Sequence, residues 1–388
     1  MKVYLDNAAT TFVSNEVFQE MVPCFNAIFG NSSSIHSFGR EANAIVDRAR
    51  DRISKAIGAS KANEIYFTSS GTEANNWALK GIANAYKDKG KHIIVSQIEH
   101  DSIMETCKAL EKEGFEITYL PVNAEGIVSL SKLYHHIRKD TILVSVMTAN
   151  NEVGTVQNIK AMAKTCHEQG VLFHTDATQA LGAVRIDVKD MEIDVMTISS
   201  HKVYGPKGVG ALYIKNGVKI EDLINGGSQE RGKRGGTSNV PGIAGFGKAV
   251  EIATRDLVIN QQKLKAIRNY FLEKVNEKIP NTYVNGHPQQ KLNGLVNMSF
   301  ECIEGESILM LLDFEGIAVS TGSACTSGSL SKSHVLYAMG VSDELSNGSV
   351  RFSFGKGTTK EEVDYVVEKL AKVVQKLRNI SPLRAGRK

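Results

Sequence analysis

The sequence predicts an α/β protein: a mostly parallel sheet covered by helices, followed by a smaller α+β region. Two observations carry this. Between about residues 64 and 214, short runs rich in β-branched residues alternate with stretches of helical period. After about residue 250 the alternation stops, and a long helical segment leads into a region of different pattern.

Taken in order, "EIYFTSS" (64–70) reads as strand and "TEANNWALKGIANAY" (72–86) as helix. "HIIVSQ" (92–97) is strand, "ETCKALEKEG" (105–114) helix and "EITYLPV" (116–122) strand. "TILVSVM" (141–147) is strand, and residues 159–170 form a helix stopped by Gly170. The strands "VLFHTDA" (171–177), "DVMTISS" (194–200) and "GALYI" (210–214) follow. One long helical segment is expected over roughly 242–279, then strands in "LNGLVNMSF" and "SVRFSFG". The last helix opens on Thr359 with Glu362 three residues on, a capping box. Val363, Val366, Val367, Leu370, Val374 and Leu377 form its apolar face.

The 388 residues are 42% hydrophobic and carry a net charge of +4, too little to argue for nucleic acid. No run approaches the roughly 18 apolar residues of a membrane helix. The start shows no basic leader before an apolar stretch, so a soluble, cytoplasmic protein is expected. Five cysteines without a CxxC pair argue for free thiols and against a zinc or self-contained iron–sulfur site.

In an open parallel sheet the chemistry lies where strands end. After the first strand, Ser69 to Thr72 enter a helix, either as an anion cup or as an ordinary Thr cap with a Gly turn. His100 follows the next strand, as a loop histidine or a functional one. Asn150 and Asn151 follow another, in a turn or a binding loop. Asp176 ends an apolar strand, where an unpaired carboxylate is costly, and Gln179 is three residues on. His174 reads as a core histidine bonded to a neighbour. Lys202 stands in "SSHKVYGPKG", aimed by a rigid Gly-Pro loop. Such lysines form Schiff bases with carbonyl cofactors, notably pyridoxal phosphate. That cofactor needs a lysine, a carboxylate for its pyridinium nitrogen and a phosphate cup. Asp176, the Gly-Thr turn and Lys202 supply all three. Finally, Cys325 sits in "VSTGSACTSG" (319–328), among residues too small to pack a core.

The chain resembles the cysteine desulfurases of the nitrogen-fixation and iron–sulfur-cluster-assembly type, a branch of the class V aminotransferase group. The resemblance runs nearly end to end. It rests on "YLDNAATT" (4–11), "GNSSSIHSFGREA" (30–42), "FTSSGTEANN" (67–76), "IEHDS" (98–102) and "ANNEVGTVQ" (149–157). It continues through "HTDATQALG" (174–182), "SSHKVYGPKGVGALY" (199–213), "GGSQERGKRGGTSNVPGI" (226–243), "STGSACTSGS" (320–329) and "SVRFSFG" (349–355). There are departures: "SSGT" where an Ala often precedes the Thr, no proline in "GNSSS", Thr148 in place of a bulkier residue, and Asn225 before the Gly pair.

The resemblance implies a type I pyridoxal-phosphate fold with a seven-stranded sheet. A large domain would span 12–260; a small domain would join 1–11 to 261–388 and carry the catalytic cysteine. Lys202 would hold pyridoxal 5'-phosphate, Asp176 would pair with its pyridinium nitrogen, and Gln179 and Asn151 would lie near its phenolic oxygen. His100 would stack on the ring and shuttle protons. Gly71, Thr72, Ser199 and His201 would hold the phosphate, and Thr237 would reach a phosphate across a homodimer interface. Arg351 would bind the substrate carboxylate, with Asn151 beside it; a surface Arg on a strand is the plain alternative. Cys325 would be the sulfur-accepting cysteine on a mobile loop, taking sulfur from L-cysteine. No resident metal is implied, although Cys325 could contribute to a transient iron–sulfur cluster handed to a partner. The receiver would be a sulfur-acceptor protein such as an iron–sulfur cluster scaffold. The rivals are a selenocysteine or cysteine lyase on the same scaffold, which Cys325 opposes, and a cofactor-binding regulator without activity.

Overall fold

The computed structural model describes residues 1–321 and 333–382. Its strands are β1 (Val3–Tyr4), β2 (Ile65–Thr68), β3 (His92–Ser96), β4 (Glu116–Leu120), β5 (Thr141–Ser145), β6 (Leu172–Asp176), β7 (Val195–Ser199), β8 (Gly210–Ile214), β9 (Thr282–Asn285), β10 (Leu295–Phe300), β11 (Ile317–Ala318) and β12 (Ser349–Ser353). Seven of them build one sheet in the order β2-β8-β7-β6-β5-β3-β4. All its pairings are parallel except those that β8 makes with β2 and β7. Periodicity cannot read strand direction, so the reversed β8 was not visible in the pattern.

Both faces of the inner strands β3, β5, β6, β7 and β8 are buried, which is why these strands are apolar at successive positions. Ile93 and Val95 of β3 face a cluster with Trp77, Ile82 and Leu110, from helices Gly71–Tyr86 and Asp101–Lys112. Ile94, Phe173, Met196 and Ile198 point the other way. They meet Val46 and Ile53 of helix Ser37–Ala56 and Phe246 of helix Val240–Arg255. His174 is a core histidine as expected: its ring lies 2.8 Å from Ser145 Oγ and 3.1 Å from Thr197 Oγ1. Burial pushes its pKa down to about 4.

Strands β9, β10 and β12 form an antiparallel sheet in the order β12-β10-β9, and β1 pairs in parallel with β11. Val3 and Leu5 join Phe271, Phe300, Phe352 and the apolar face of the last helix in a separate core. Phe271 packs at a tilt against Phe352 and edge-on against Phe354, with ring centroids 4.9 and 5.3 Å away. Such pairs add about 0.5–1.5 kcal/mol each to the burial of their rings. Alternation along β12 turns Val350 and Phe352 into this core and leaves Arg351 facing the large sheet.

The capping box is present: Glu362 N donates to Thr359 Oγ1, and Thr359 N to Glu362 Oε2. Two expectations change. The segment 242–279 is two helices, Val240–Arg255 and Leu257–Lys278, broken at Asp256. Asp is a poor interior residue, and here its carboxylate is engaged by Arg255. The helix expected at 105–114 starts at Asp101 because His100 caps it. Helices Ser37–Ala56, Leu130–His136 and Gly305–Phe314 lie outside the expected elements.

Candidate active site

The carboxyl ends of β3, β5, β6 and β7 converge on one cavity of about 450 Å³. It is lined by Gly71, Thr72, His100, Asn151, Asp176, Gln179, Ser199, His201, Lys202 and Arg351. Ten residues singled out in the sequence are thus brought together. Thr237 is not among them: it is exposed and lines a different cavity with Phe67, Ser69 and Gly208. Cys325 lies outside the described residues.

Asp176 is the last residue of β6, and its buried carboxylate has two donors. Thr178 N donates to Oδ1 at 2.8 Å, and Asn75 Nδ2 to Oδ2 at 2.7 Å. Both donors are neutral amides, so the carboxylate keeps its charge for a cation in the cavity. Lys202 closes the short 3-10 turn Ser200–Lys202 after β7. Its Nζ donates to the carbonyls of Ala8 and Ala9 at 2.5 and 2.8 Å. Gln179 Nε2 also donates to Ala8 O, at 2.9 Å.

The anion cup takes shape at helix Gly71–Tyr86. Ser70 caps the helix by accepting from Glu73 N, and the amides of its first turn open toward Ser199 and His201. A Cβ at Gly71 would meet Thr178 Oγ1 at 3.2 Å and Ser199 Cβ at 3.4 Å, so the glycine keeps this corner open. Thr178 Oγ1 is buried there without a hydrogen-bond partner. Burial pushes the pKa of His201 down to about 4, helped by the charges of Lys202 and Lys207. The ring is therefore neutral at pH 7, with Nδ1 3.1 Å from Thr10 Oγ1. Glu73 stays ionised: burial acts to raise its pKa, but hydrogen bonds from Arg234 and Ser69 bring it below the usual value.

Arg351 approaches from β12. Nη1 donates to Asn151 O at 2.8 Å, and Nη2 pairs with Asp6 Oδ1 at 3.0 Å. Its Nε is buried without a partner. The plain alternative of a surface arginine is thereby corrected: the side chain is buried by the β12 register and held over the cavity. Ser320 N and O pair with the Arg351 backbone. At residue 333, Ser333 Oγ donates to Glu152 Oε2 at 2.6 Å. The described residues on either side of Cys325 are thus tied to Arg351 itself and to the loop whose Asn151 carbonyl holds it. Asp6, Asn75, Ser102 and Thr178 were not singled out from sequence. Each reads locally as a turn or helix residue, although "YLDNAATT", "FTSSGTEANN", "IEHDS" and "HTDATQALG" contain one of them each.

A mainly parallel seven-stranded sheet with a lysine after β7 and an aspartate ending β6 defines an aminotransferase-like site, and the comparisons agree. Residues 3–366 match the family described as aminotransferase class-V. The cysteine desulfurase IscS of Dictyoglomus turgidum is 52% identical over 381 residues, 98% of this chain and 96% of that protein. A solved NifS-like protein superposes with a TM-score of 0.92 at 38% identity, covering 97% of this chain and all of that one. SspA in complex with cysteine superposes at 0.82 with 36% identity, covering 92% of this chain and all of that one. The chain belongs to the class-V aminotransferase family. Within it, the chain is a member of the cysteine desulfurases of the NifS/IscS type.

Proposed function

We propose that the protein uses pyridoxal 5'-phosphate to remove sulfur from L-cysteine, releasing L-alanine and holding the sulfur as a persulfide on Cys325. The observation that supports this best is convergence: Asp176, Lys202, the Gly71 helix terminus and Arg351 face one cavity. The donor set fits the cofactor. Neutral His201, the first-turn amides, Thr72 and Ser199 would hold its phosphate, and the unpartnered Thr178 hydroxyl beside Gly71 calls for an acceptor.

When bound, pyridoxal phosphate supplies an electron sink for the substrate Cα. Lys202 would anchor it covalently and Asp176 would hold the proton on its ring nitrogen. Gln179 and Asn151 would lie at its phenolic edge and His100 against its face. Arg351 binds the substrate carboxylate, kept in place beforehand by Asp6 and the Asn151 carbonyl. With substrate seated, Lys202 Nζ is the base for the Cα proton. The Cys325 thiolate then takes the sulfur: the C–S bond of L-cysteine breaks and an S–S bond forms. L-cysteine plus thiol gives L-alanine plus persulfide, with no outside redox partner.

The domain division 12–260 against 1–11 with 261–388 follows the separate core that unites Val3 and Leu5 with residues 267–374. A homodimer is supported by Phe12, Phe25, Phe29, Ile35 and Phe38, all exposed within one short N-terminal stretch, and by Thr237, which lines no part of its own chain's cavity. A cytoplasmic setting accords with four buried free thiols, at Cys24, Cys107, Cys166 and Cys302. No helix of the described residues is long and apolar enough to cross a membrane. The sulfur would pass to an acceptor protein such as an iron–sulfur cluster scaffold.

The test is to incubate the protein with L-cysteine and measure alanine and protein-bound persulfide together. Equal amounts in a first turnover, with both lost in Cys325→Ala, support the reading. Alanine without persulfide, or persulfide on another cysteine, would overturn it.

A further inference from the structure

Asp176 and His100 stand at the two ends of a hydrogen-bonded chain that runs through two residues with no assigned role. Asn75 Nδ2 donates to Asp176 Oδ2 at 2.7 Å and to Ser102 Oγ at 2.8 Å. Ser102 Oγ lies 2.9 Å from His100 Nδ1. Both linkers are buried, Asn75 to 1% and Ser102 to 8% exposure. The Asn75 amide has two hydrogens and both are used in this chain, one toward each neighbour.

The direction of the last link is set by the backbone. Ser102 N donates to His100 Nδ1 at 3.1 Å, the contact by which His100 caps its helix. A backbone N–H cannot become an acceptor. Nδ1 must therefore offer a lone pair, and a neutral ring then carries its proton on Nε2. Since Nδ1 carries no hydrogen, the Ser102 hydroxyl is the donor across their 2.9 Å contact, while its oxygen accepts from Asn75. Protonating Nδ1 would place an N–H against an N–H and break the cap.

We infer that Asn75 and Ser102 are positioning residues that hold His100 as its Nε2–H tautomer in the resting protein and fix the Asp176 carboxylate through the same chain. His100 then presents a hydrogen-bond donor, not a base. It can take a proton at Nε2 only after its tautomer is reversed at the expense of the Ser102 N–H bond. The first base of the reaction is accordingly Lys202. The catalytic consequence rests on the proposed desulfurase reading, whereas the tautomer is a property of the protein alone.

The experiment uses the purified protein labelled with 15N-histidine, with His100 assigned by comparison with His100→Gln. Long-range 1H–15N spectra at pH 7.5 are expected to show His100 Nδ1 unprotonated and Nε2 protonated. Ser102→Ala keeps the backbone donor, so the tautomer persists while the Nδ1 resonance moves; kcat falls about tenfold, the loss of one hydrogen bond in the site. Ser102→Thr keeps the hydroxyl and restores kcat. Asn75→Ala moves the same Nδ1 resonance and lowers kcat with KM held within about twofold. A protonated Nδ1 in the unaltered protein would overturn the inference, as would an Asn75→Ala protein with unchanged resonance and turnover. Absence of alanine formation by the unaltered protein would instead sink the functional reading and leave the tautomer result standing.

Discussion

Arg351 and Asp6, 345 residues apart in the chain, form an ion pair of 3.0 Å at the mouth of the cavity. The arginine side chain is 5% exposed and the aspartate 21%. The pair joins β12 to the chain start and presets the guanidinium.

Removing the Asp6 carboxylate leaves a buried cation without its partner, which is destabilising. Because Asp6 is partly solvated, the expected loss in Asp6→Asn is about 1–2 kcal/mol rather than the several of a fully buried pair. A substrate-like carboxylate would then become the counter-ion of Arg351. Saturating L-alanine should raise the Tm of Asp6→Asn by more than it raises that of the unaltered protein. Equal gains in the two proteins would show that Asp6 does not govern the charge of Arg351.

Glu99, directly before His100, is fully buried, and burial pushes its pKa up to about 8, with the Asp176 charge adding to the effect. Ser96 Oγ and Met147 N donate to Oε1, while Oε2 has no partner. The folded protein keeps this proton up to about pH 8, whereas the unfolded chain releases it near the ordinary value. Between those limits the native state binds more protons, so stability falls as pH rises, by about 1.4 kcal/mol per unit from this group. Glu99→Gln should therefore gain stability over the unaltered protein at pH 8 to 9 and show little difference near pH 4.5. Urea midpoints across that range decide it; parallel pH profiles would refute a buried, protonated Glu99.

The large sheet and most of the cavity lining were legible because three of its strands lead into conspicuous residues: Asp176 at the end of β6, the Ser-His-Lys run after β7, the Gly-Thr turn after β2. What stayed hidden depends on distance or on direction. Asp6 meets Arg351 only after the chain start pairs with β12, and no local pattern records that. Asn75 reads as helix interior until the helix is laid on the sheet and its amide meets Asp176. The start of helix Asp101–Lys112 was read late because its cap is an imidazole rather than a Ser, Thr, Asp or Asn side chain.

The loop that carries Thr237 is held by a buried pair. Arg50 donates to both Glu230 oxygens at 2.7 and 2.8 Å, and Phe67 N to Oε2 at 3.0 Å. Glu230 and Arg231 both sit at positive φ, a conformation this pair stabilises. Glu230→Ala leaves Arg50 buried and unopposed, at an expected loss of about 3–5 kcal/mol. Replacing both partners, Arg50→Met with Glu230→Leu, should lose less than the single change, since no lone charge remains. Urea unfolding followed by circular dichroism measures both. A double variant no more stable than Glu230→Ala would show that the strained backbone, not the charge, dominates.

Thr237 supplies the sharpest test of how the site is completed. It is exposed on its own chain and faces a cavity apart from that of Lys202. If it serves the partner's phosphate site, two defects on different chains should sort predictably. Consider a mixed dimer with Lys202→Ala on one chain and Thr237→Ala on the other. The site built on the Lys202→Ala chain receives the altered Thr237 and carries both defects. The other site keeps its lysine and receives an unaltered Thr237, so it is complete. Such a dimer should retain about half of normal turnover with an ordinary affinity for pyridoxal phosphate at that site. If Thr237 instead serves its own chain, one site lacks the lysine and the other lacks the threonine, and no complete site exists. The two parent homodimers fix the floor, and tandem purification with two tags isolates the mixed species. Turnover at the level of the Thr237→Ala homodimer or below would place Thr237 in its own subunit's site and remove it as evidence for a shared one.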